Sequence, residues 1–474
     1  MQMISIVFLL FTALILGILG ILNKVLKDDC KKVLFSRWVL LIGSFLFAAY
    51  GDLRFALVLG GLCLVTWLTA GTRTGWKWGI AFALLSLGYF KYTNFFLSSF
   101  GSLFGFSHTA IRLLLPVGIS FYTFSAISYL VDVHRGKAEK RSLSEVALYL
   151  SFFPKLTSGP IARSGDFFRQ LDRPRNIGFA GISAGVQIFA FGLFKKIVLA
   201  DRLSVFVDQV FYTPRAFDSL TVLLGVFAYA FQLYFDFSGY SDLAIGVAKM
   251  LDVDLPKNFD LPYLSRNITE FWKRWHITLS SWLQDYLYIP LGGSRKGRTR
   301  TYVNLMITMV LGGLWHGASL TYVTWGFLNG LGLMVHKLFC RGDRKQRENP
   351  FFNTLSTAAT FLFVSFTWIF VRAETFQDAL TVLSVIFSFQ TGVRQPYVWF
   401  FWALSLYILC VFAAAYHSRN LKGTQKKKNT CWIRGFYPLQ DLTSFRGLTL
   451  FFIFCGLILG LAYTGGSPFI YGGY

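Results

Sequence analysis

Apolar stretches separated by short polar connections run along the whole chain of 474 residues. A helix of roughly 17–25 apolar residues is long enough to cross the hydrocarbon core of a bilayer. The pattern therefore predicts an all-α polytopic membrane protein with roughly 10–12 transmembrane helices. The predicted spans lie near residues 3–22, 38–50, 55–70, 78–97, 113–131, 178–199, 220–235, 351–371, 379–389, 397–416 and 448–463.

The regular pattern is interrupted between residues 148 and 171. Pro154, Gly159 and Pro160 break an apolar run of roughly ten residues, which is too short to span the bilayer. Irregular backbone at membrane depth is tolerated only where it is buried in protein or lines a cavity. We therefore predict a re-entrant segment here.

A second irregularity is the segment 301–336, whose 36 residues include no Asp, Glu, Lys or Arg. As one straight helix it would measure about 54 Å, far more than the ~30 Å hydrocarbon core. We expect the helix to break and turn back at the glycines of LGGLWHGAS. His316 belongs to this stretch, far from the flanking basic loop, and is therefore expected deep in the membrane.

The segment EFWKRWHITLSSWLQDYLYIPLGG places basic and histidine side chains among tryptophans. Asn267, followed three residues later by Glu270, has the spacing of a helix N-cap and its reciprocal acid. We predict one helix from there, with Phe271, Trp275 and Trp282 on one face. Because tryptophan and basic side chains both favour the membrane boundary, this helix is expected to be interfacial.

The chain carries 46 Lys and Arg against 23 Asp and Glu, a formal net charge of +23. The basic residues cluster in short connections, which follows the positive-inside rule and argues against a nucleic-acid-binding role. We therefore assign the basic connections to the cytoplasm and both termini to the extracytoplasmic side. Six scattered cysteines without CxxC spacing indicate neither a disulfide framework nor a zinc site.

Four of the six histidines lie at or near predicted loop ends, where a solvated histidine is the simpler interpretation. His316 is different, because an ionisable residue at membrane depth is a functional hypothesis by default. Burial disfavours the imidazolium, so a neutral His316 is competent as a general base. The non-catalytic alternatives are a core histidine for His316 and a membrane anchor around His276. Metal binding is disfavoured, because no HxxxH or HExxH spacing occurs.

Asp236 and Asp242 in QLYFDFSGYSDLAIG form a further polar cluster after an apolar helix. They fit a water-filled cavity, a partner for an arginine such as Arg274, or proton carriers, and spacing does not choose among these. Gly239 between them is expected to break the helix at a tunnel wall. In a glycan or ion transporter the carboxylates would be coupling groups, but that class predicts a repeat of helices that this sequence lacks.

Three stretches, QLYFDFSGYSDLAIG, NFDLPYLSRNITEFWKRWHITLSSWLQDYLYIPLGG and GGLWHGASLTYVTWGFLNG, resemble the bacterial membrane-bound O-acyltransferase (MBOAT) family. LPVGISFYTFSAISYLVDVHRG and YLSFFPKLTSGPIARSGDF match in the same order, so the resemblance covers residues 113–332. It is closest to members that acetylate alginate and cellulose, and weaker to members that D-alanylate teichoic acid. Gln284, where relatives often have Arg, and the tail SPFIYGGY depart from the family pattern.

The resemblance implies the MBOAT fold, with re-entrant and interfacial helices around a central tunnel. In that tunnel a cytoplasmic acyl donor and an outer acceptor meet at a histidine, which by motif position is His316, the base for the acceptor hydroxyl. His276 matches the second active-site position, which implies orientation or polarisation of the thioester carbonyl. The residues expected to line the tunnel or hold substrate are Lys273, Arg274, Trp275, Trp315, Asp236, Asp242, Tyr288 and Asn304.

The implied activity is O-acetyl transfer from a cytoplasmic thioester, acetyl-CoA or an acylated carrier, to a hydroxyl acceptor for alginate- or cellulose-type exopolysaccharide. No bound cofactor and no metal are expected. Because no soluble domain is predicted, the acetyl group would pass through an extracytoplasmic, SGNH-hydrolase-like partner within a polysaccharide biosynthesis complex. D-alanyl transfer towards teichoic acid is the alternative within the same family.

One integral membrane domain in three parts is predicted along the chain. Residues 1–112 form amino-terminal transmembrane helices, 113–340 the catalytic core and 341–474 carboxyl-terminal transmembrane helices. The predicted location is the inner (plasma) membrane. Membrane lipids are predicted to contact the protein, and no nucleic-acid partner is predicted.

Overall fold

The computed structural model describes residues 2–105, 111–339, 350–395, 404, 437, 439–463 and 465. In these ranges the regular structure is helical, apart from one isolated bridge between Phe217 and Val393. The all-α prediction is therefore confirmed. The predicted span at 397–416, except residue 404, and the tail SPFIYGGY lie outside the described residues.

The amino-terminal part consists of helices joined by short turns. Polar caps set two of the starts, because the carboxylates of Asp28 and Asp52 accept backbone N–H groups at the first turns of the second and third helices. A π-helical turn at Gly88–Tyr92 joins the fourth helix to the fifth. The bounds are α1 Ile6–Val25, α2 Asp29–Ala49, α3 Leu53–Thr69, α4 Gly75–Leu87 and α5 Thr93–Phe104.

The interruption predicted between residues 148 and 171 is present as three short helices. Their side chains are mostly buried in protein, as a re-entrant segment would require. The helix before them starts at Ile119, later than predicted, because Pro116 disfavours helix at the residue before it and Gly118 adopts a positive φ of 78°. The bounds are α6 Ile119–His134, α7 Leu143–Ser151, α8 Phe153–Leu156 and α9 Ser164–Leu171.

The prediction that Gly239 breaks a helix is wrong, since it lies inside a continuous helix of 32 residues. A Cβ at Gly239 would lie 2.9 Å from the carbonyl oxygen of Gly192, and a Cβ at Gly192 would lie 2.7 Å from that of Gly239. Glycine is therefore required for close backbone approach, as is usual between membrane helices. The bounds are α10 Phe179–Leu193, a π-helical turn Phe194–Ala200, α11 Asp201–Tyr212 and α12 Ser219–Met250.

We expect Gly239→Ala to destabilise the protein by about 1–3 kcal/mol, because the new methyl group meets backbone that cannot yield. The control is Gly17→Ala in α1, where no heavy atom lies within 4 Å of a Cβ. There alanine should be neutral or slightly stabilising, owing to its better helix propensity. Thermal unfolding in detergent measures both variants, and an equal effect would contradict the close-approach explanation.

The predicted turn within 301–336 is confirmed. A helix ends at His316 and the next begins at Leu320. Gly313 and Gly326 allow the two helices to touch, since a Cβ on Gly326 would lie 2.4 Å from the carbonyl oxygen of Met309. The bounds are α13 Ile268–Arg274, α14 Ile277–Leu283, α15 Gly297–His316, α16 Leu320–Phe339, α17 Pro350–Arg372, α18 Phe376–Ser388 and α19 Phe445–Leu461.

The segment predicted as one interfacial helix is instead two short helices, α13 and α14, that meet at His276. The predicted N-cap is present, because Asn267 Oδ1 accepts the N–H of Glu270 at 2.8 Å. The Glu270 carboxylate accepts the N–H of Arg266 and not that of the cap residue. Trp275 and Trp282 are 0% and 6% exposed, so these aromatic rings are core residues and not membrane anchors.

Six helical runs in the described ranges are long and apolar enough to cross a membrane, and three shorter apolar helices accompany them. Two of the six, Gly75–Gly101 and Phe179–Tyr212, continue through the π-helical turns. Their outward faces carry large apolar side chains, which suits contact with lipid. The buried apolar residues form two clusters, one centred on α1–α9 and the other on α11, α12, α17 and α18. The protein is a multi-pass membrane protein, and its two histidines of interest lie where these clusters meet.

Candidate active site

His316 is the last residue of α15, at the turn into α16. Its side chain is buried among aromatic rings: the Trp315 and Trp325 ring centroids lie 4.8 Å and 5.2 Å from its own. Trp315 belongs to the first apolar cluster and Trp325 to the second. His316 therefore sits at the junction of the two cores, which explains why a polar residue there is tightly surrounded.

His276 lies at the break between α13 and α14, with a φ of 42° that non-glycine residues rarely adopt. An extended segment after α12 supports the break on both sides. The N–H of Asp260 donates to the Arg274 carbonyl at 2.9 Å, and the N–H of Ile277 donates to the Asn258 carbonyl at 2.8 Å. Residues in such backbone conformations cluster at functional sites, where surrounding structure holds them in place.

The structure brings the two histidines together. Their ring centroids are 6.4 Å apart, and His276 is 0% exposed. The ring of Trp315 lies 6.4 Å from His276, and that of Phe237 packs edge-on at 4.6 Å. The two imidazoles are thus neighbours in a part of the protein that excludes water.

Asn258 determines which nitrogen of His276 carries the proton. Its Oδ1 accepts the backbone N–H of Thr278 at 3.3 Å and the Thr278 hydroxyl at 2.9 Å, which identifies this atom as the amide oxygen. The same oxygen lies 3.0 Å from His276 Nδ1, so Nδ1 must donate. Burial without a carboxylate partner favours the neutral ring, in which the other nitrogen, Nε2, is a hydrogen-bond acceptor. Nε2 has no partner among the described residues.

A cavity of about 560 Å³ opens beside this pair, at the end of the α15–α16 hairpin that carries the basic residues. Ile277, next to His276, lines it, and so does Trp272, whose ring lies 5.8 Å from that of Trp325. The cavity thus approaches His316 through a layer of tryptophan. Its other lining residues are Thr269, Lys273, Ser280, Ser281, Leu283, Gln284, Tyr288, Ser294, Leu305, Thr308, Met309, Leu333, His336 and Lys337.

A second cavity of about 230 Å³ adjoins the first. The two share Ser294 and Lys337, and the second is also lined by Arg298. Lys337 Nζ donates to Ser294 Oγ at 3.1 Å, and this hydroxyl is 2.9 Å from that of Tyr288. Lysine and arginine side chains around a cavity mouth attract phosphate groups.

The residues predicted to line the tunnel fall into different places. Lys273 and Tyr288 line the large cavity, whereas Trp275 is wholly buried and does not line it. Arg274 pairs with Glu270 at 2.7 Å. Asn304 is also buried, and its Nδ2 donates to the Gly293 carbonyl at 3.0 Å, at the base of the basic loop.

Asp236 and Asp242 are held by lysines of the π-helical turn after α10, and not by Arg274. Lys196 Nζ lies 2.7 Å from Asp236, and Lys195 Nζ lies 2.6 Å from Asp242. Such pairs join α10 to α12 within the apolar interior, where a single unpaired charge would be costly. The described residues contain no group of three or more His, Cys, Asp or Glu that could hold a metal ion.

Sequence reasoning missed Asn258 and Trp325 as neighbours of the histidines. Both lie within the stretches that carry the family resemblance, so the motif boundaries were a usable signal. Asn258 and His276, which form a hydrogen bond, are 18 residues apart in the chain. Trp325 and Trp272, whose rings are in contact, lie on different helices. The hydrophobic periodicity of the sequence does not predict contacts between residues so far apart in the chain.

Comparison with known proteins gives a consistent relationship. Residues 137–370 match the model of the membrane-bound O-acyltransferase family. A probable alginate O-acetylase from Pseudomonas putida is 42% identical over 369 residues, covering 74% of each chain. A peptidoglycan O-acetyltransferase from Helicobacter pylori is 35% identical over 79% of this chain and 77% of its own. A teichoic acid D-alanyltransferase from Streptococcus thermophilus is 30% identical over 57% of this chain and 70% of its own.

The family model covers α7 to α17 and therefore both buried histidines. Two relatives above 30% identity are matched over more than two thirds of their length. The chain belongs to the membrane-bound O-acyltransferase family.

Proposed function

We propose that this protein transfers an acetyl group from a cytoplasmic thioester to a hydroxyl acceptor that serves polysaccharide O-acetylation. The observation that carries the proposal is the pair of buried histidines, 6.4 Å apart, beside a cavity with a basic mouth. Similarity to a probable alginate O-acetylase and a peptidoglycan O-acetyltransferase supports acetyl as the group transferred. The catalytic core would be residues 113–340, as the sequence predicts.

In the proposed reaction, His316 removes the proton from the acceptor hydroxyl as its oxygen attacks the thioester carbonyl. The tetrahedral intermediate then expels the thiolate, which takes a proton from the imidazolium, so that an ester and a free thiol are formed. The hydrogen bond at His276 Nδ1 favours one of the two roles predicted for this residue. A neutral His276 whose Nε2 is an acceptor does not polarise a carbonyl, and we assign it to orienting the acceptor hydroxyl.

The donor we propose is acetyl-CoA. Its phosphates would lie against Lys273, Lys337 and Arg298 at the cavity mouth, with the thioester directed inward along Trp272. An acylated carrier is the alternative donor, and similarity to a teichoic acid D-alanyltransferase is the observation that favours it. By the positive-inside rule, the basic mouth supports a donor on the cytoplasmic side.

His276 and His316 are 0% and 4% exposed, which supports an acceptor smaller than a polymer chain. We therefore propose that a hydroxyl of an extracytoplasmic partner protein, of the SGNH-hydrolase-like kind, accepts the acetyl group and delivers it to the polysaccharide. The protein would lie in the inner membrane with both termini outside. Purified protein that acetylates polymer at full rate without a partner would contradict this step.

Detergent-purified protein incubated with radiolabelled acetyl-CoA tests the donor assignment. We expect release of free CoA and transfer of label to a hydroxyl acceptor. Label taken up only from an acylated carrier protein would replace acetyl-CoA by the carrier-bound donor. No transfer from either donor, with the partner protein present, would contradict the proposed function.

Charge at the cavity mouth gives a second test. The double variant Lys273→Met/Lys337→Met should raise the donor KM about tenfold with kcat nearly unchanged, because these residues contact donor phosphate in ground and transition states alike. The matched control is Lys32→Met on α2, a half-buried lysine whose one ion pair among the described residues is with Asp29. An unchanged donor KM in the double variant would contradict the proposal that the donor binds in this cavity.

A further inference from the structure

The carboxyl-terminal end of α15 is satisfied by groups from a distant helix. The last four carbonyls of a helix have no partner within it, and here each one is accounted for. The Gly313 carbonyl accepts the N–H of Gly317, and that of Leu314 accepts the Tyr92 hydroxyl at 2.8 Å. The carbonyls of Trp315 and His316 both accept the ammonium of Lys91, the latter at 3.4 Å.

Lys91 and Tyr92 lie in the π-helical turn that joins α4 to α5. Such turns insert an extra residue into a helix and are frequent at functional sites, since they turn side chains in directions that a regular helix does not offer. Tyr92 is buried, and Lys91 is half-buried with its ammonium 5.7 Å from the ring of Trp315. The turn thus aims two hydrogen-bond donors at one helix end.

The charge of Lys91 suits this place. Among the described residues Lys91 forms no ion pair with a carboxylate, and its hydrogen bonds go to the main-chain carbonyls of residues 315 and 316. The carboxyl-terminal end of a helix carries partial negative charge, which a cation stabilises. Burying a lysine inside a membrane-spanning segment costs free energy, so a role beyond packing is expected.

We propose that Lys91, assisted by Tyr92, is a positioning residue that holds the last turn of α15 and thereby fixes the His316 imidazole for proton abstraction. The inference rests on the proposed role of His316. The last turn of a helix frays most readily, and His316 is its final residue. A displacement of about 1 Å at a reacting group costs on the order of 10²-fold in rate.

This role belongs to the amino-terminal helices, outside the residues 137–370 that match the family model. Through this role, the turn between α4 and α5 holds the end of α15, which carries His316, in place. Lys91 donates to main-chain carbonyls of α15 and does not line the cavity of about 560 Å³. Its removal should therefore weaken catalysis and leave donor binding in that cavity unaffected.

The test compares Lys91→Met, Lys91→Arg and Tyr92→Phe with the native protein in the acetyl-transfer assay, alongside His316→Ala. We expect Lys91→Met to lower kcat about 10- to 100-fold with the donor KM within twofold, and Lys91→Arg to recover most of the loss because it restores a cationic donor. Tyr92→Phe, which removes one hydrogen bond, should lower kcat several-fold. Lys140→Met is the control, because its ammonium lies 5.5 Å from the Trp67 ring, away from α15.

The proposal is overturned if Lys91→Met keeps native kcat while His316→Ala is inactive. It is equally overturned if Lys91→Met and Lys140→Met lose activity and thermal stability in parallel, which would mark a general packing effect. Full activity in His316→Ala would instead remove the proposed base, and this inference with it. If Lys91→Met does not accumulate in membranes, Tyr92→Phe is the deciding variant. An unchanged kcat in Tyr92→Phe contradicts the positioning role of Lys91 and Tyr92.

Discussion

His316→Ala is expected to lower kcat for acetyl transfer by about 10³-fold, because the variant lacks the imidazole that we propose as the base for the acceptor hydroxyl. The side chain lies in a shell of aromatic rings, and the described neighbours offer no second imidazole except His276. Folding should survive, since the substitution removes a ring and leaves no buried charge. Initial rates with labelled acetyl-CoA, at saturating donor and acceptor, measure the effect.

The control for this prediction is His134→Ala. His134 stacks on Trp76 at 4.2 Å near the end of α6, and it is exposed, so its loss should leave kcat within twofold. His316→Gln is a useful companion, because glutamine retains a polar group of similar reach that cannot act as a base at neutral pH. Activity near the native level in both His316 variants would assign proton abstraction to another residue.

The second large effect is expected at Asn258. Asn258→Leu removes the acceptor of His276 Nδ1–H and of the Thr278 N–H, leaving buried donors unsatisfied at about 1–3 kcal/mol each. His276 is then free to rotate and to change tautomer. We expect kcat to fall about 10²-fold, approaching the loss in His276→Leu.

A double-mutant cycle separates this role from ordinary packing. If Asn258 acts only through His276, the double variant Asn258→Leu/His276→Leu should be no less active than His276→Leu alone. Thr278→Val is the matched control for lost hydrogen bonds at Asn258. It removes one hydroxyl donor to Asn258 and the acceptor of the Ile161 N–H, and it leaves the His276 bond in place. Additive losses in the cycle would show that Asn258 and His276 act independently.

Several features followed from local sequence. The helical class, the interruption after residue 148, the turn after His316 and the Asn267 cap depend on apolar length, prolines, glycines and capping spacing within a few residues. The family motifs located His276 and His316 as candidates. The assignment of their roles and the three-part division of the chain stay predictions, which the variants above address in part.

Two local expectations were wrong for one physical reason. Gly239 does not break α12, because close packing against Gly192 holds the helix straight through it. The helix predicted from Asn267 does break at His276, because the segment around Asn258 and Asp260 takes its backbone hydrogen bonds. In both cases tertiary contacts outweighed intrinsic propensity, which differs by only about 1 kcal/mol per residue between glycine and alanine.

By itself, the sequence determined that this chain crosses a membrane repeatedly as helices and that it belongs among the O-acyltransferases. The apolar spans and the family motifs are both contiguous segments, so each can be recognised without the tertiary structure. Only the tertiary structure decided that His276 meets His316, that Asn258 sets the tautomer of His276, and that Lys91 holds the end of α15. Lys91 and Trp315 are 224 residues apart in the chain. Contacts over such separations arise from the packing of whole helices, which leaves no periodic trace along the chain.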